Sequence, residues 1–131
     1  MPILVDTNVI SDMIHADSEW ETWAEARLLE HFGQLVINPV IYAELCCRAY
    51  SVAELEDTLA PFELHFFELP KEALFLSAQA FVAYRNRGGN KTSVLPDFFI
   101  GAHAEVLGLP ILTRDEGRYR TYFPKVALIS P

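Results

Sequence analysis

Cysteine is scarce in this chain of 131 residues, which contains only two, and these are the neighbours Cys46 and Cys47. Two adjacent thiols make no disulfide framework, so the fold must depend on a packed core. The four histidines are scattered, and no cysteine or histidine spacing suits a zinc ion. These shortages exclude disulfide-stapled and zinc-binding scaffolds, and we expect the histidines to be structural or surface residues.

Long apolar runs are also missing, although apolar residues make up 51% of the chain. No stretch approaches the roughly 20 apolar residues that a membrane-spanning helix needs. The first six residues lack the basic region of a signal peptide and reach an acidic residue at once. We therefore expect a cytoplasmic protein with no membrane association, folded as a single domain over residues 1–131.

Basic residues are few, and the formal net charge is −8. Residues 1–84 contain 14 acidic and three basic side chains, whereas residues 85–131 contain four acidic and seven basic. An acidic protein with this distribution can still present a local basic surface to a nucleic acid. Solvated faces covered by arginine and lysine would give the same pattern, so charge alone does not decide between the two explanations.

Apolar segments of strand length alternate with longer helical patterns, without a linker or an internal repeat. We predict strands at residues 3–6, 35–37, 65–69, 110–113 and 126–129. We predict helices at residues 9–15, 19–32, 39–50, 51–59, 70–87 and 96–107, with Asp17-Ser18 capping the second and a capping box opening the fourth. The alternation implies a parallel sheet covered by helices on both faces.

Four acidic residues stand where an apolar element meets a loop or a helix. Asp6 and Asp115 follow predicted strands, Glu44 lies inside an apolar helix, and Asp97 begins another helix. Ligands of parallel sheets bind beyond the carboxyl ends of the strands, so these acids are candidates for one cleft. An ionised carboxylate near a core is costly unless it is paired or binds a metal. The set therefore favours a shared cation of the kind that prefers oxygen ligands, Mg²⁺ or Mn²⁺.

Each acid also has a structural explanation when it is taken alone. Asp6 can cap the helix that follows it, and Asp97 gains from the dipole of its own helix. Glu44 can pair with Arg48 four residues later, and Asp115 would pass for a surface turn. The metal hypothesis therefore depends on the combination of all four carboxylates.

A metal held by these acids would orient a water, lower its pKa and stabilise charge on a phosphate. Thr7, Asn8 and Thr113 are polar neighbours that can hold the carboxylates in place. Their alternative role is capping and turn formation.

Basic side chains are interleaved with aromatic ones near the two C-terminal acids. Arg85, Arg87 and Lys91 flank Gly88-Gly89, and three arginines surround a pair of tyrosines in residues 114–122. Such a pattern suits single-stranded RNA, because the charges follow phosphates and the rings stack on bases. The predicted RNA-binding residues are Arg85, Arg87, Lys91, Arg114 and Arg118. A mobile surface loop beside a tyrosine pair at the edge of the core would explain the same residues.

The segments that contain the four acids resemble, in the same order, the acidic motifs of the PIN-domain family. They are residues 3–10 (ILVDTNVI), 39–45 (PVIYAEL), 95–104 (LPDFFIGAHA) and 111–115 (ILTRD), the last followed by Tyr119 and Tyr122-Phe123-Pro124. Each motif is moderately specific alone, whereas the ordered set spans nearly the whole chain. The small size is similar to that of the VapC-type toxins of bacterial and archaeal toxin–antitoxin pairs.

The resemblance implies a three-layer α/β/α sandwich and a Mg²⁺- or Mn²⁺-dependent endoribonuclease that cuts a transfer or ribosomal RNA. It carries over Asp6, Glu44, Asp97 and Asp115 as the catalytic and metal-binding acids. Asp6 and Asp97 would be the firmest metal ligands, and the other two would act through water or on a second ion. The resemblance also implies a homodimer and a small antitoxin whose C-terminal segment blocks the site.

Three other hypotheses stay open at this point. A PIN nuclease of RNA processing or decay would contain the same acids without being a toxin. A non-catalytic module that binds RNA or a protein would use them structurally. A phosphatase with an aspartyl nucleophile would use Asp6, but haloacid-dehalogenase-like enzymes place a second aspartate two residues later, where this chain has Asn8.

Overall fold

The computed structural model describes residues 1–16 and 19–131, which form a sheet of five parallel strands flanked by helices. The strands are β1 (Ile3–Val5), β2 (Leu35–Ile37), β3 (His65–Phe66), β4 (Ile111–Leu112) and β5 (Leu128–Ile129). Their order across the sheet is β3-β2-β1-β4-β5. This arrangement confirms the predicted α/β/α class with a central parallel sheet.

The helices are α1 (Thr7–His15), α2 (Glu21–Glu30), α3 (Pro39–Cys46), α4 (Val52–Leu59), α5 (Lys71–Asn86), α6 (Pro96–Leu107) and α7 (Gly117–Tyr122), with a 3₁₀ turn at Ala60–Phe62. Within the described ranges, no helix is both long and apolar enough to cross a membrane.

The central strands form because they are short apolar runs with every residue buried. β1 and β2 consist entirely of leucine, isoleucine and valine, the composition of strands covered on both faces. β3, at one edge of the sheet, is exposed along its length. The core therefore lies around β2, β1 and β4, and the carboxyl ends of these three strands meet at one edge of the sheet.

Polar caps and a proline set the starts of α3 and α4. The Asn38 side chain accepts a hydrogen bond from the Ile41 N–H at 2.9 Å, and Pro39 occupies the first turn of α3. The Ser51 hydroxyl accepts from the Glu54 N–H at 3.0 Å, which confirms the predicted start of α4. The proposed cap Asp17-Ser18 lies outside the described residues.

The predicted bounds of several elements were wrong, and one helix was missed. α3 ends at Cys46 instead of residue 50, because the chain continues in tighter turns with hydrogen bonds from Cys47 to Glu44 and from Arg48 to Leu45. β3 covers two residues instead of the five at 65–69. The polar segment after β4, for which we predicted no helix, contains α7.

A close contact between α6 and α7 places α7 over the carboxyl edge of the sheet. A Cβ on Gly101 would lie 2.2 Å from the ring of Phe123, so only glycine permits this approach. Phe123 is 1% exposed and Tyr119, one turn earlier, is 2% exposed. The glycine in α6 therefore lets α7 bury a tyrosine near the predicted acids.

Candidate active site

All four predicted acids line one polar cleft of about 300 Å³ at the carboxyl edge of the sheet. Asp6 follows β1 directly, and Asp115 lies in the loop between β4 and α7. Glu44 is on α3, and Asp97 is in the first turn of α6. A larger groove of about 530 Å³, lined by apolar residues and two glutamates, lies beside β3 and contains none of these four acids. The structure thus brings together the residues that the sequence separates.

Asp6 is the most buried of the four, at 5% exposure. Its Oδ1 accepts a hydrogen bond from the Thr7 N–H at 2.7 Å. Its Oδ2 accepts from the hydroxyls of Thr113 at 2.9 Å and Tyr119 at 2.8 Å. Burial raises the pKa of Asp6 to about 6, although both hydroxyls oppose the shift, and the charge of Asp97 adds to it. Among the described residues, no lysine or arginine makes an ion pair with Asp6.

Tyr119 is a site residue for which the sequence left two explanations open, stacking on RNA bases and a place at the edge of the core. A ring that is 2% exposed offers no surface to a base, so the first explanation does not hold for Tyr119. Burial first, and then the charges of Asp6 and Asp97, raise the pKa of Tyr119 well above its usual value. The hydroxyl therefore stays protonated and donates to Asp6.

The three predicted polar neighbours all hydrogen-bond within the acidic cluster. The Thr7 hydroxyl donates to Glu44 Oε1 at 2.6 Å, so Thr7 joins Glu44 to Asp6 through its backbone and side chain. Thr113 Oγ1 also accepts from the Asp115 N–H at 3.0 Å. Asn8 Nδ2 donates to Thr113 Oγ1 at 3.3 Å. These contacts fix the carboxylates and the loop after β4 relative to each other.

Asp97 lines the same cleft as Asp6 and is less buried, with a side chain that is 33% exposed. Burial raises the pKa of Asp97, whereas a hydrogen bond from Arg118 Nη1 to Oδ2 at 3.3 Å lowers it. The charge of Asp115 raises it further. Asp115 is exposed, and its Oδ1 accepts from the Gly117 N–H at 3.3 Å at the start of α7.

The PIN domain family model matches residues 3–124. The chain belongs to the PIN domain family. Three similar solved structures are VapBC2 from Rickettsia felis bound to a promoter DNA fragment, DNA-bound VapBC from Salmonella typhimurium, and a toxin-antitoxin complex from Klebsiella pneumoniae. A search of curated proteins finds no match.

The three structures match this PIN domain over nearly its whole length. The first is 15% identical with a TM-score of 0.75, covering 100% of this chain and 99% of that one. The second is 20% identical with a TM-score of 0.72, covering 99% and 98%. The third is 19% identical with a TM-score of 0.70, covering 95% of each chain. At these identities the likeness shows a shared PIN fold.

A fifth acid in the cleft of this PIN domain, Asp12, was not singled out from the sequence. It is 5% exposed and receives two hydrogen bonds from Arg114, from Nε at 2.5 Å and from Nη2 at 3.1 Å. Asn8, one turn earlier on α1, accepts from the Arg114 N–H at 3.3 Å. The four-residue spacing from the predicted Asn8, which puts Asp12 on the same helix face, is the signal that could have found Asp12.

The predicted RNA-binding residues in the last turn of α5 and in the loop after it are fixed by hydrogen bonds and ring packing. Arg85 Nη1 donates to the carbonyl of Lys91 at 2.8 Å, and Tyr84 packs so closely that a Cβ on Gly89 would lie 2.3 Å from its ring. The Arg87 guanidinium lies 5.6 Å from the ring centroid of Tyr122. The sequence suggested a flexible glycine loop, whereas the structure shows one clamped by the last turn of α5.

Two of the predicted basic residues adjoin the acids. Arg118 contacts Asp97 and lies 5.8 Å from the ring centroid of Tyr84, and Arg114 lines the cleft itself. Tyr84 and Tyr122 contact each other edge to face at 6.5 Å. An aromatic and basic surface thus continues from the cleft along α7 to the loop after α5.

The chemistry of the donor set fits a hard divalent cation. Of the residues that the structure describes, five acidic side chains and one arginine line the cleft, so oxygen donors and negative charge are both in excess. Over residues 1–16 and 19–131, no three His, Cys, Asp or Glu side chains are close enough to enclose one ion as they stand. This geometry suits Mg²⁺, which usually keeps several waters and takes one or two carboxylates, better than zinc in a closed site.

Proposed function

We propose that this PIN domain is a Mg²⁺- or Mn²⁺-dependent endoribonuclease that acts as the toxin of a toxin–antitoxin pair. The observation that carries the proposal is the meeting of Asp6, Glu44, Asp97 and Asp115, from four separate segments, in one cleft. Asp6 has a pKa raised by burial and no cationic partner among the described residues. Strongly perturbed carboxylates in a cleft are typical of catalytic and metal-binding sites.

In this proposal Asp6 and Asp97 are the principal metal ligands, and Glu44 and Asp115 act through water or on a second ion. The bound ion would supply Lewis-acid stabilisation of phosphate charge and a nucleophilic water at neutral pH. Thr113 and Tyr119 hold Oδ2 of Asp6, so the carboxylate keeps one orientation when a substrate enters. The resulting reaction is hydrolysis of an RNA phosphodiester bond.

The substrate is proposed to be RNA because basic and aromatic groups continue outward from the acids. Arg118 and Arg114 lie at the cleft, and Arg87 lies over Tyr122 further along the same surface. Arg85 and Lys91 extend this surface into the loop after α5. Phosphates of a single strand can follow the cations while bases stack on half-buried rings.

The partner is proposed to be a small antitoxin protein, with the chain acting as a homodimer. Support for the antitoxin comes from the solved structures of the same fold, two named as VapBC complexes and one as a toxin-antitoxin complex. An acidic cleft of this kind offers an antitoxin a site for a basic side chain.

The test is cleavage of purified total RNA by antitoxin-free protein, with Mg²⁺ or Mn²⁺ compared with EDTA. We expect discrete metal-dependent fragments from wild type and none from Asp6→Asn or Asp97→Asn. Asp57→Asn, which removes an exposed carboxylate on α4, is the matched control and should cleave normally. Full activity in both cleft variants would overturn the nuclease proposal.

The toxin role is tested separately in living cells. Induced expression of wild type should arrest bacterial growth, and the Asp6→Asn variant should not. A protein that cleaves RNA in vitro without arresting growth would favour the alternative of a PIN nuclease in RNA processing or decay.

A further inference from the structure

Arg114 is bound to a buried carboxylate and is held more firmly than Arg118, the other predicted RNA-binding residue beside the acids. Asp12 binds Arg114 through two hydrogen bonds, at 2.5 and 3.1 Å, and Asp12 is itself almost wholly buried. Arg118, by comparison, makes one 3.3 Å contact with Asp97, and its side chain is 40% exposed. A double contact fixes the plane of a guanidinium group, whereas a single long contact leaves it free to turn.

The Asp12 contacts use only one edge of the guanidinium group. They occupy Nε and Nη2, so Nη1 points from the other side of the group. Within the described part of the chain, Nη1 has no hydrogen-bond acceptor. Among the described residues, Arg114 is the basic side chain that lines the acidic cleft itself, where the charges of Asp115 and Asp6 act on it.

We propose that Asp12 is a positioning residue that holds Arg114 so that Nη1 meets the scissile phosphate of the RNA. This inference rests on the proposed nuclease function. Negative charge grows on the phosphate oxygens during hydrolysis, and a preoriented donor stabilises that charge without reorganising. Arg114 is then the group that touches the substrate, and Asp12 acts through it.

The acidic surroundings explain why such an arginine needs a dedicated partner. Asp6 and Asp115 both attract Arg114, and a mobile guanidinium would pair with one of them and neutralise a proposed metal ligand. The buried carboxylate of Asp12 holds the cation at the rim instead. The backbone helps, because the Arg114 N–H donates to Asn8 on the same face of α1.

The test measures kcat and KM separately on a short RNA that wild type cleaves. Arg114→Ala should lower kcat by about 100-fold with little change in KM. Asp12→Asn should lower kcat by about tenfold, because Asn keeps the shape but loses the charge that orients the arginine. Arg114→Lys keeps the charge but loses the forked geometry, so it should also lower kcat by about tenfold. Arg120→Ala is the control, since Arg120 makes the same double contact with Glu116 outside the cleft and should retain wild-type kcat.

Guanidinium ion at a non-denaturing concentration separates positioning from a structural role. It should restore part of the kcat of Arg114→Ala and none of that of the Asp12→Asn/Arg114→Ala double variant, because Asp12 would hold the added ion. Folding of every variant is checked by its melting temperature.

The outcomes separate this inference from the proposed function. If wild type is folded, supplied with metal and inert on RNA, the nuclease proposal fails. If wild type cleaves and Arg114→Ala matches the Arg120→Ala control, or changes KM alone, the positioning of Arg114 at the scissile phosphate is overturned while the nuclease stands. Equal rescue of the single and double variants would overturn the role of Asp12.

Discussion

At the residue scale, the proposed metal site depends on a carboxylate whose burial is unfavourable. Asp6 accepts hydrogen bonds from the Thr7 backbone amide, the Asn8 side-chain amide and two hydroxyls, yet burial still raises its pKa to about 6. Such a group is expected to favour function over stability, because ionisation inside the fold is unfavourable until a cation binds.

Replacing Asp6 by Asn should stabilise the metal-free protein at neutral pH. The pKa of Asp6 rises from 3.8 to about 6 on folding, so the folded state binds the additional proton between these values and wild-type stability falls as pH rises. A pKa shift of this size lowers the free energy of unfolding by about 3 kcal/mol at pH 7.5. Urea unfolding in EDTA should show the variant more stable at pH 7.5, with the gap closing towards pH 4. A variant less stable than wild type at pH 7.5 would contradict the desolvation argument.

Removing the Tyr119 hydroxyl should destabilise the protein, whereas Asp6→Asn should stabilise it. Tyr119→Phe keeps the buried ring and deletes a donor to ionised Asp6, which should cost about 2 kcal/mol of unfolding free energy at pH 7.5 in EDTA. The loss should shrink below pH 5, where Asp6 is protonated. Tyr122→Phe is the control, because its ring packs nearby without a bond to Asp6. Equal losses for both variants at both pH values would show that the ring environment and not the hydroxyl matters.

At the element scale, the sequence predicts strands and capped helices well where the pattern is local. The apolar runs of β1 and β2 and the cap at Ser51 needed no tertiary information. α7 could not be predicted, because six residues are too few to show a helical period, and its stability comes from burying Tyr119 against the rest of the fold. The end of α3 was predicted too late, because no helix-breaking residue marks it and the chain continues in a tighter turn.

The docking of α7 on α6 gives an element-scale prediction. Gly101→Ala should destabilise the protein by about 1–3 kcal/mol, because the new Cβ would meet the Phe123 ring at 2.2 Å. Urea unfolding measures the loss, and adding Phe123→Leu should recover part of it by making space. Gly101→Ala with wild-type stability would show that α7 is not fixed by this contact.

At the scale of the whole molecule, the parallel sheet sends every strand's carboxyl end to the same edge. Asp6, Asp97 and Asp115 were predictable from the sequence because each lies where an element ends or begins, and Glu44 because it is an acid inside an apolar helix. The roles of Asp12 and Tyr119 could not be predicted, because their partners lie 102 and 113 residues away in the sequence. Their contacts depend on how α1 and α7 face the cleft. The opposite edge is lined by Met1, Leu109 and Lys125, among others.

The distribution of charge predicts how RNA binding responds to salt. In the Asp6→Asn background, Arg87→Ala and Lys91→Ala should each weaken binding of a single-stranded RNA and reduce the slope of log K against log salt by about 0.7. Lys125→Ala, on the opposite edge of the sheet, is the control and should leave the slope unchanged. Identical slopes for all three variants would place the RNA elsewhere on the surface.

The most direct test of the central claim, that the clustered carboxylates form a divalent cation site, is a calorimetric titration of purified protein with Mn²⁺. Wild type and the Asp57→Asn control should bind the ion with the same affinity, and Asp6→Asn and Asp97→Asn should bind it at least about tenfold more weakly. Mn²⁺ affinity that is the same in all four proteins, or absent from a folded wild type, would contradict the account.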